Sequence, residues 1–235
     1  MAILDVLAEE GPLGTNAIAR RTDMQPSTIS RQLGTLVESG LVEFEPDTGQ
    51  YRLGVRLVQL ANAVLVRLDV RTVARPHLEA LVAAVAETAT LSVPGDPHAV
   101  TIDFVPTQHY VQGVSHLGRP SIAHATAAGK AMLAFTGRRP RGPLEAYTER
   151  TITDSRALAD ELDRIRAHGW ADAFEEREPG LNAIAAPVWS AQQALAGIVA
   201  LQGPIPRFGR AAARKALPLL RKKLRPFGSK KDGAK

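Results

Sequence analysis

"QPSTISRQLGTLVESGLVEFEPDTGQYRLG", Gln25 to Gly54, decides how this chain is read. Gln25 or Ser27 is placed to cap a helix, with Pro26 in the first turn, where a missing N–H costs nothing. Ile29, Leu33, Leu36 and Val37 then fall at i, i+4, i+7 and i+8, which is one helical face. That face uses the apolar residues and leaves Ser27, Thr28, Ser30, Arg31, Gln32 and Thr35 outside. Gly40 suits the position just past the helix. "LVEFE" and "QYRL" follow around "PDTG", which is a hairpin signal.

Working outward, residues 2–10 read as a helix with Ile3, Leu4, Val6 and Leu7 on its apolar face, stopped by Gly11-Pro12. A second helix starts at Thr15 or Asn16, turns Ile18 and Ala19 inward and ends near Arg21. Three short helices and a hairpin are the order of a winged helix-turn-helix. The plain alternative is a small helical domain with a hairpin and no nucleic acid. The outer face of the third helix favours DNA: short hydrogen-bonding groups and one guanidinium suit base edges and phosphates, and no acid appears before Glu38. Arg31 pairs with guanine or phosphate on this reading, beside Ser27, Thr28 and Gln32. Arg20 and Arg21 fit phosphate contacts. Arg52, in the hairpin, is equally a groove contact or a solvated charge.

Composition sets bounds. At 235 residues, 45% hydrophobic and 23% charged, the chain has the make-up of a globular protein. It has no cysteine, so disulfides, thiolate metal sites and cysteine nucleophiles are excluded. The net charge of +5 is unevenly spread: from Arg207 onward eleven Lys and Arg stand against Asp232 alone, so residues 1–206 carry −5. The end that reads as DNA-binding is thus not the basic end, and overall charge does not carry the DNA assignment. The apolar runs are short of a membrane span, and "MAILDVLAEEG" lacks the basic start of a signal peptide. A cytoplasmic protein without a membrane partner is expected.

Residues 55–69, "VRLVQLANAVLVRLD", read as a linker helix too apolar to stand alone, with Val55, Leu57, Val58, Leu60, Val64, Leu65 and Leu68 needing a partner surface. A helix over 70–89 follows. From Thr90 the texture changes: "TLSVP" and "AVTIDFVP" read as strands, "YVQGVSHLG" as a strand entering a loop, and "ATAAGKAMLAF" as a helix. "TDSRALADELDRIRAHGW" is a helix capped by Thr153 or Asp154 and closed by Gly169. "NAIAAPVW" and "LAGIVALQG" are strands, and "FGRAAARKALPLLRKKL" is a closing helix with Pro218 as a kink. The expected class is α+β, a sheet with helices packed on it. The expected division is 1–54, 55–69, 70–227 and a disordered tail, 228–235.

These pieces, in this order, resemble the IclR-type transcriptional regulators over residues 1–227. The resemblance rests on "ILDVLAEEGPLG", "STISRQLGTLVESGLVE", "GQYRLGVRLVQLA", "GRPSIAHATAAGKAMLA" and "GWADAFEEREPGLNAIAAPVW…GIVALQGPIPRF". It implies an N-terminal winged helix on a double-stranded operator, a linker helix used in a homodimer or tetramer, and a GAF-like α/β effector domain that takes small organic or aromatic acids. By the same resemblance Val114, Ser115, Leu117, His124, Ala125, Ala173, Ala183, Ala200 and Gln202 line the effector cavity. Relatives carry acidic residues and a cysteine where this chain has Ala173, Phe174 and Ala183. A mostly apolar cavity is therefore expected, with His124, Ser115 and Gln202 as orienting groups and an aromatic acid as ligand. The family commonly has a few residues before the first helix, whereas this sequence begins within it.

Other chemistry is weakly marked. "HATAAGKA" fails the phosphate-loop pattern, because His124 stands at the first glycine and Ala131 follows the lysine. "GVSHLG" fails the nucleophile-elbow pattern at Leu117. The helix start at Ala125–Ala128 is either an ordinary cap or a carboxylate seat. Glu175, Glu176 and Glu178 form an acid–base pair or, more commonly, a solvated loop. The histidines lack ligand spacing, so no metal and no cofactor are expected, nor an enzyme. An enzyme, or a DNA-binding protein without an effector, is the competing reading.

Overall fold

The computed structural model describes residues 2–66, 69–110, 115–140, 142–190 and 192–224. The chain divides into two compact units, Met1–Leu68 and Asp69–Lys235.

The first unit holds α1 (Ala2–Glu10), α2 (Thr15–Thr22), α3 (Pro26–Glu38), the hairpin β1 (Val42–Glu45) and β2 (Gln50–Leu53), and α4 (Arg56–Val66). Its core holds the predicted Ile3, Leu7, Ile18, Ala19, Ile29 and Leu33, joined by Val42, with Leu36 and Tyr51 packed against them. Val37 differs from expectation, being 37% exposed. The turn between α2 and α3 is made by Asp23 in the left-handed region, which lets Met24 N–H reach back to the Ala19 carbonyl at 3.1 Å. Leu13 pairs antiparallel with Tyr51 and extends the hairpin. Gly54 closes it: a Cβ there would lie 2.2 Å from the Gly40 carbonyl oxygen.

The second unit is built on one antiparallel sheet, order β5-β4-β3-β8-β7-β6. Its strands are β3 (Thr88–Val93), β4 (Ala99–Val105), β5 (Pro120–Ser121), β6 (Ala171–Phe174), β7 (Leu181–Trp189) and β8 (Leu195–Pro204). Helices α5 (Asp69–Val85) and α8 (Arg210–Leu224) pack together against it; α6 (Ala127–Thr136) also packs against it, and α7 (Ser155–His168) packs on α6. Several boundaries differ from the sequence reading. The helix expected to reach residue 89 ends at Val85, and β3 begins at Thr88, where Thr88, Ala89 and Thr90 are buried in the sheet. β6 was not anticipated. Of "YVQGVSHLG", residues 111–114 lie outside the described part, and Ser115–Gly118 are not strand. The expected tail at 228–235 is likewise outside it, as are the side chains of Val64, Leu65 and Leu68.

Register decides what faces the α6–α7 pair. Alternation puts every second residue of a strand on one face. Ala171 and Ala173 of β6 sit opposite Ala185 and Ala183 of β7; Ala185 and Ala183 sit opposite Ala200 and Gln202 of β8; and Ala200 sits opposite Thr90 of β3. One sheet face is therefore lined by alanine, threonine and glutamine, and small side chains over a wide face leave space beneath the covering helix.

Candidate functional site

The first site is the outer face of α3. At 100° per residue, Ser27, Arg31, Thr35 and Glu38 share one stripe, with Thr28 and Gln32 flanking it. Ser27, Arg31, Gln32 and Thr35 are exposed, and Thr28 is half-buried. The α3 N-terminus has no side-chain cap from Gln25; Pro26 has no N–H and the Thr28 N–H donates to the Gln25 carbonyl at 3.0 Å, which leaves the Ser27 N–H of the first turn. Arg20 is exposed at the end of α2. Two other predicted arginines are engaged. Arg21 donates to Glu10 Oε1 at 2.7 Å. Arg52 is clamped between Glu43, at 3.0 Å, and Glu45, at 2.7 Å. Exposed pairs of this kind are weak and exchange readily with a phosphate, so both remain on the surface as charges with a competitor.

The second site is a cavity between the small-residue sheet face and the start of α6. The sheet contributes Thr90, Thr101, Ala173, Ala183, Ala200 and Gln202. Above them stand Ala125, Thr126, Ala127 and Ala128, and at the rim Ser115, Arg119, Pro120 and Ser121. The segment after β6 closes it with Glu176, Arg177, Glu178 and Leu181. Thr126 caps α6 by accepting the Gly129 N–H at 3.0 Å, while its own hydroxyl donates to the Ile122 carbonyl at 2.9 Å. Ala127 and Ala128, whose N–H groups precede the first intrahelical bond, line this space. Gly129 lets the helix start sit against the preceding loop: a Cβ there would lie 2.2 Å from the Ile122 carbonyl oxygen. Gln202 Nε2 donates to Ser115 Oγ at 2.6 Å.

Of the residues expected to line the cavity, Ser115, Ala125, Ala173, Ala183, Ala200 and Gln202 do. Leu117 does not; it is 47% exposed on a turn. His124 does not either: it is buried against Tyr147, and its Nε2 is 2.8 Å from the Glu145 carbonyl. Val114 lies outside the described residues. The lining is mostly apolar, but it also holds charged groups that the sequence reading did not place there. Arg119, Arg177, Glu176 and Glu178 line the cavity together with three threonines, because the segment after β6 folds back over the sheet.

That segment is a built wall and not a solvated acidic loop. Thr148 Oγ1 donates to the Glu175 carbonyl and Thr151 Oγ1 to the Glu176 carbonyl, both at 2.6 Å. Glu175 takes φ 59° and accepts the Gly180 N–H at 3.1 Å. Arg119 pairs with Glu178. Behind the wall lies a lysine that the sequence reading weighed only as part of a failed phosphate loop. Lys130, whose side chain is 1% exposed, donates to Glu176 Oε1 at 2.8 Å and to Glu161 Oε1 at 3.1 Å. Arg164 joins Glu161 to Asp172. Burial pushes the Glu176 carboxyl above the usual carboxylate range, with Lys130 opposing that shift. For Glu161 burial also pushes upward, but Arg164 and Lys130 together outweigh it and hold the carboxyl low. Lys130 sits among alanines at helical spacing, and only its being a charged residue on an otherwise apolar face signalled a buried partner.

Among the described residues no His/Cys/Asp/Glu group is disposed to hold a metal, and no helix is long and apolar enough to cross a membrane.

Comparison with known proteins agrees with this architecture. Residues 1–46 match the IclR helix-turn-helix domain, and residues 62–226 match the profile described as bacterial transcriptional regulator IclR C-terminal. The chain is 35% identical over 211 residues to the HTH-type transcriptional regulator BhcR of Paracoccus denitrificans, covering 86% of this chain and 75% of that one. The crystal structure of the Thermotoga maritima IclR superposes with a TM-score of 0.68 at 28% identity, over 97% of this chain and 96% of that one. An IclR homologue from Microbacterium hydrocarbonoxydans, solved with 4-hydroxybenzoate, superposes with a TM-score of 0.76 at 25% identity, over 97% and 95%. A helix-turn-helix, a six-stranded antiparallel sheet in the second unit and matches to both domain profiles place this chain in the IclR family of bacterial transcriptional regulators.

Proposed function

We propose that the chain is a ligand-responsive regulator that binds double-stranded operator DNA and changes that binding when a small carboxylic acid occupies the cavity above the sheet. The division of labour follows the expected domains, 1–54 for DNA, 55–69 for association and 70–227 for the effector, acting in the cytoplasm as a homodimer or tetramer. The observation that carries the reading is the cavity: a sheet face of small residues meets a helix start with open N–H groups, and an arginine, Arg177, lies in its lining. On the DNA side, Arg31, Ser27, Thr28 and Gln32 read bases or phosphates, and Arg20, Arg21 and Arg52 contact phosphates.

The 4-hydroxybenzoate held by the Microbacterium relative supports a compact acid, aromatic or not. The charged residues within the mostly apolar lining favour one with a polar group besides its carboxylate over a wholly apolar body. Ala200→Phe or Ala183→Phe, each placing a ring in the cavity, tests the reading. Calorimetry with 4-hydroxybenzoate as probe should lose its heat while operator binding by the unliganded protein is retained. Undiminished binding of the probe in both folded variants would show that the effector lies elsewhere.

A further inference from the structure

Two neighbouring residues of the cavity wall have unused recognition capacity of opposite kinds. Glu176 uses Oε1 to accept from Lys130, while its Oε2 is enclosed and has no donor among the described residues. A buried carboxylate oxygen without a donor is costly, so a missing partner is implied. The acid is also surplus in charge: Lys130 and Arg164 face Glu161, Glu176 and Asp172. Arg177 is the converse. It lines the cavity, and its Cζ stacks 3.9 Å from the centre of the Tyr147 ring. It has no carboxylate partner among the described residues. Stacking fixes the plane of the guanidinium and leaves its edge N–H groups available for a carboxylate.

Resting on the effector-cavity reading above, we infer that the effector is a hydroxy acid, its carboxylate held by Arg177 and its hydroxyl donating to Glu176 Oε2. The terminal torsion of a glutamate side chain is soft, so a small rotation turns Oε2 toward the cavity while Oε1 keeps Lys130. An ammonium would also donate to Glu176, but Arg119 and Arg177 in the same lining oppose a second cation. A hydroxyl supplies the donor without the charge.

Calorimetry on the full chain with matched probes tests this: 4-hydroxybenzoate against benzoate, and lactate against propionate and alanine. The hydroxy acid of at least one pair should bind about tenfold or more tightly than its deoxy partner, the worth of a hydrogen bond to a charged acceptor. E176Q, whose amide oxygen can keep Lys130 while the amide nitrogen replaces the acceptor, should bring the two members of that pair close together. R177M should weaken both members alike and leave their ratio. Should E176Q fail to fold, the wild-type ratio and R177M still decide. Deoxy acids binding as well as hydroxy acids, alanine binding more tightly than lactate, no probe binding at all, or an unchanged ratio in folded E176Q would each overturn the inference. If Ala183→Phe abolishes binding of every acid while the wild-type ratio is one, the cavity reading stands and the hydroxyl inference alone falls. Acids that bind equally well to Ala183→Phe remove the cavity reading itself.

Discussion

Replacing Lys130 by methionine keeps the unbranched stem up to Cε and removes the charged amine from a site where the lysine is 1% exposed. Two charge-assisted bonds are lost, to Glu176 at 2.8 Å and Glu161 at 3.1 Å. At about 1.5–3 kcal/mol each, the loss is roughly 3–6 kcal/mol, in line with about 3–5 kcal/mol for breaking a buried pair and stranding its partner. Glu161 keeps Arg164 at 2.7 Å. Glu176 keeps no cation, so it takes the greater part of the cost and has a way to reduce it, which is to bind a proton. Its carboxyl is already raised by burial, with Lys130 pulling down, and loss of Lys130 lets it rise further. An acid whose folded pKa exceeds its unfolded value holds more protons when folded. The variant's stability therefore falls as pH rises from the unfolded value of about 4.3 through the folded one, by at most about 1.4 kcal/mol per pH unit. The deficit relative to the parent should be largest near pH 8 and visibly smaller near pH 5. Urea unfolding followed by tryptophan fluorescence reads this cleanly, because both tryptophans, Trp170 and Trp189, lie in the effector unit. Adding Glu176→Gln should restore part of the loss, a coupling that a double-mutant cycle isolates. A loss under about 1 kcal/mol at pH 8, or a deficit the same at pH 5 and pH 8, would refute the account of this cluster.

Three further outcomes are expected. Gly129→Ala should destabilise the effector unit by about 1–3 kcal/mol or more, since the new methyl would meet backbone at Ile122 and Ala123; an unchanged urea midpoint would count against the close approach of helix and loop. Arg31→Ala should weaken operator binding by roughly 1–3 kcal/mol if the contact is bidentate to guanine, and if it touches phosphate should weaken all sequences alike and lower the salt slope by about one; unchanged affinity in a titration would take Arg31 off the reading surface. Val55, Val58 and Leu60 are 67%, 58% and 46% exposed on and beside α4, so analytical ultracentrifugation at micromolar concentration should find a dimer or larger assembly that Val58→Glu with Leu60→Glu dissociates, whereas a monomeric parent would contradict the assignment of this helix to association.

Part of the molecule was legible because its signals are local. Helix α3 is specified by Pro26 in its first turn and a clear apolar stripe, and α7 by Asp154, which accepts the Ala157 N–H at 2.7 Å, and by Gly169 in the left-handed region. The hairpin likewise follows from alternation and a turn, with strands at Val42–Glu45 and Gln50–Leu53. Such features need only a helical or strand period and the backbone preferences of single residues, which the chain carries wherever it folds.

What the tertiary structure decided is where long-range contacts override or complete those signals. β6 is four residues of small and mixed character, and it is a strand because β7 offers an open edge to pair with. His124 turns to the Glu145 carbonyl, a partner 21 residues away that periodicity cannot see. Sequence spacing alone gave no indication that Glu176, in what looked like an acidic loop, would meet Lys130 from 46 residues earlier, or that Arg177 beside it would enter the cavity. Burial makes those charges costly unless paired, and pairing at that distance is a property of the packed sheet and helices, not of any short stretch.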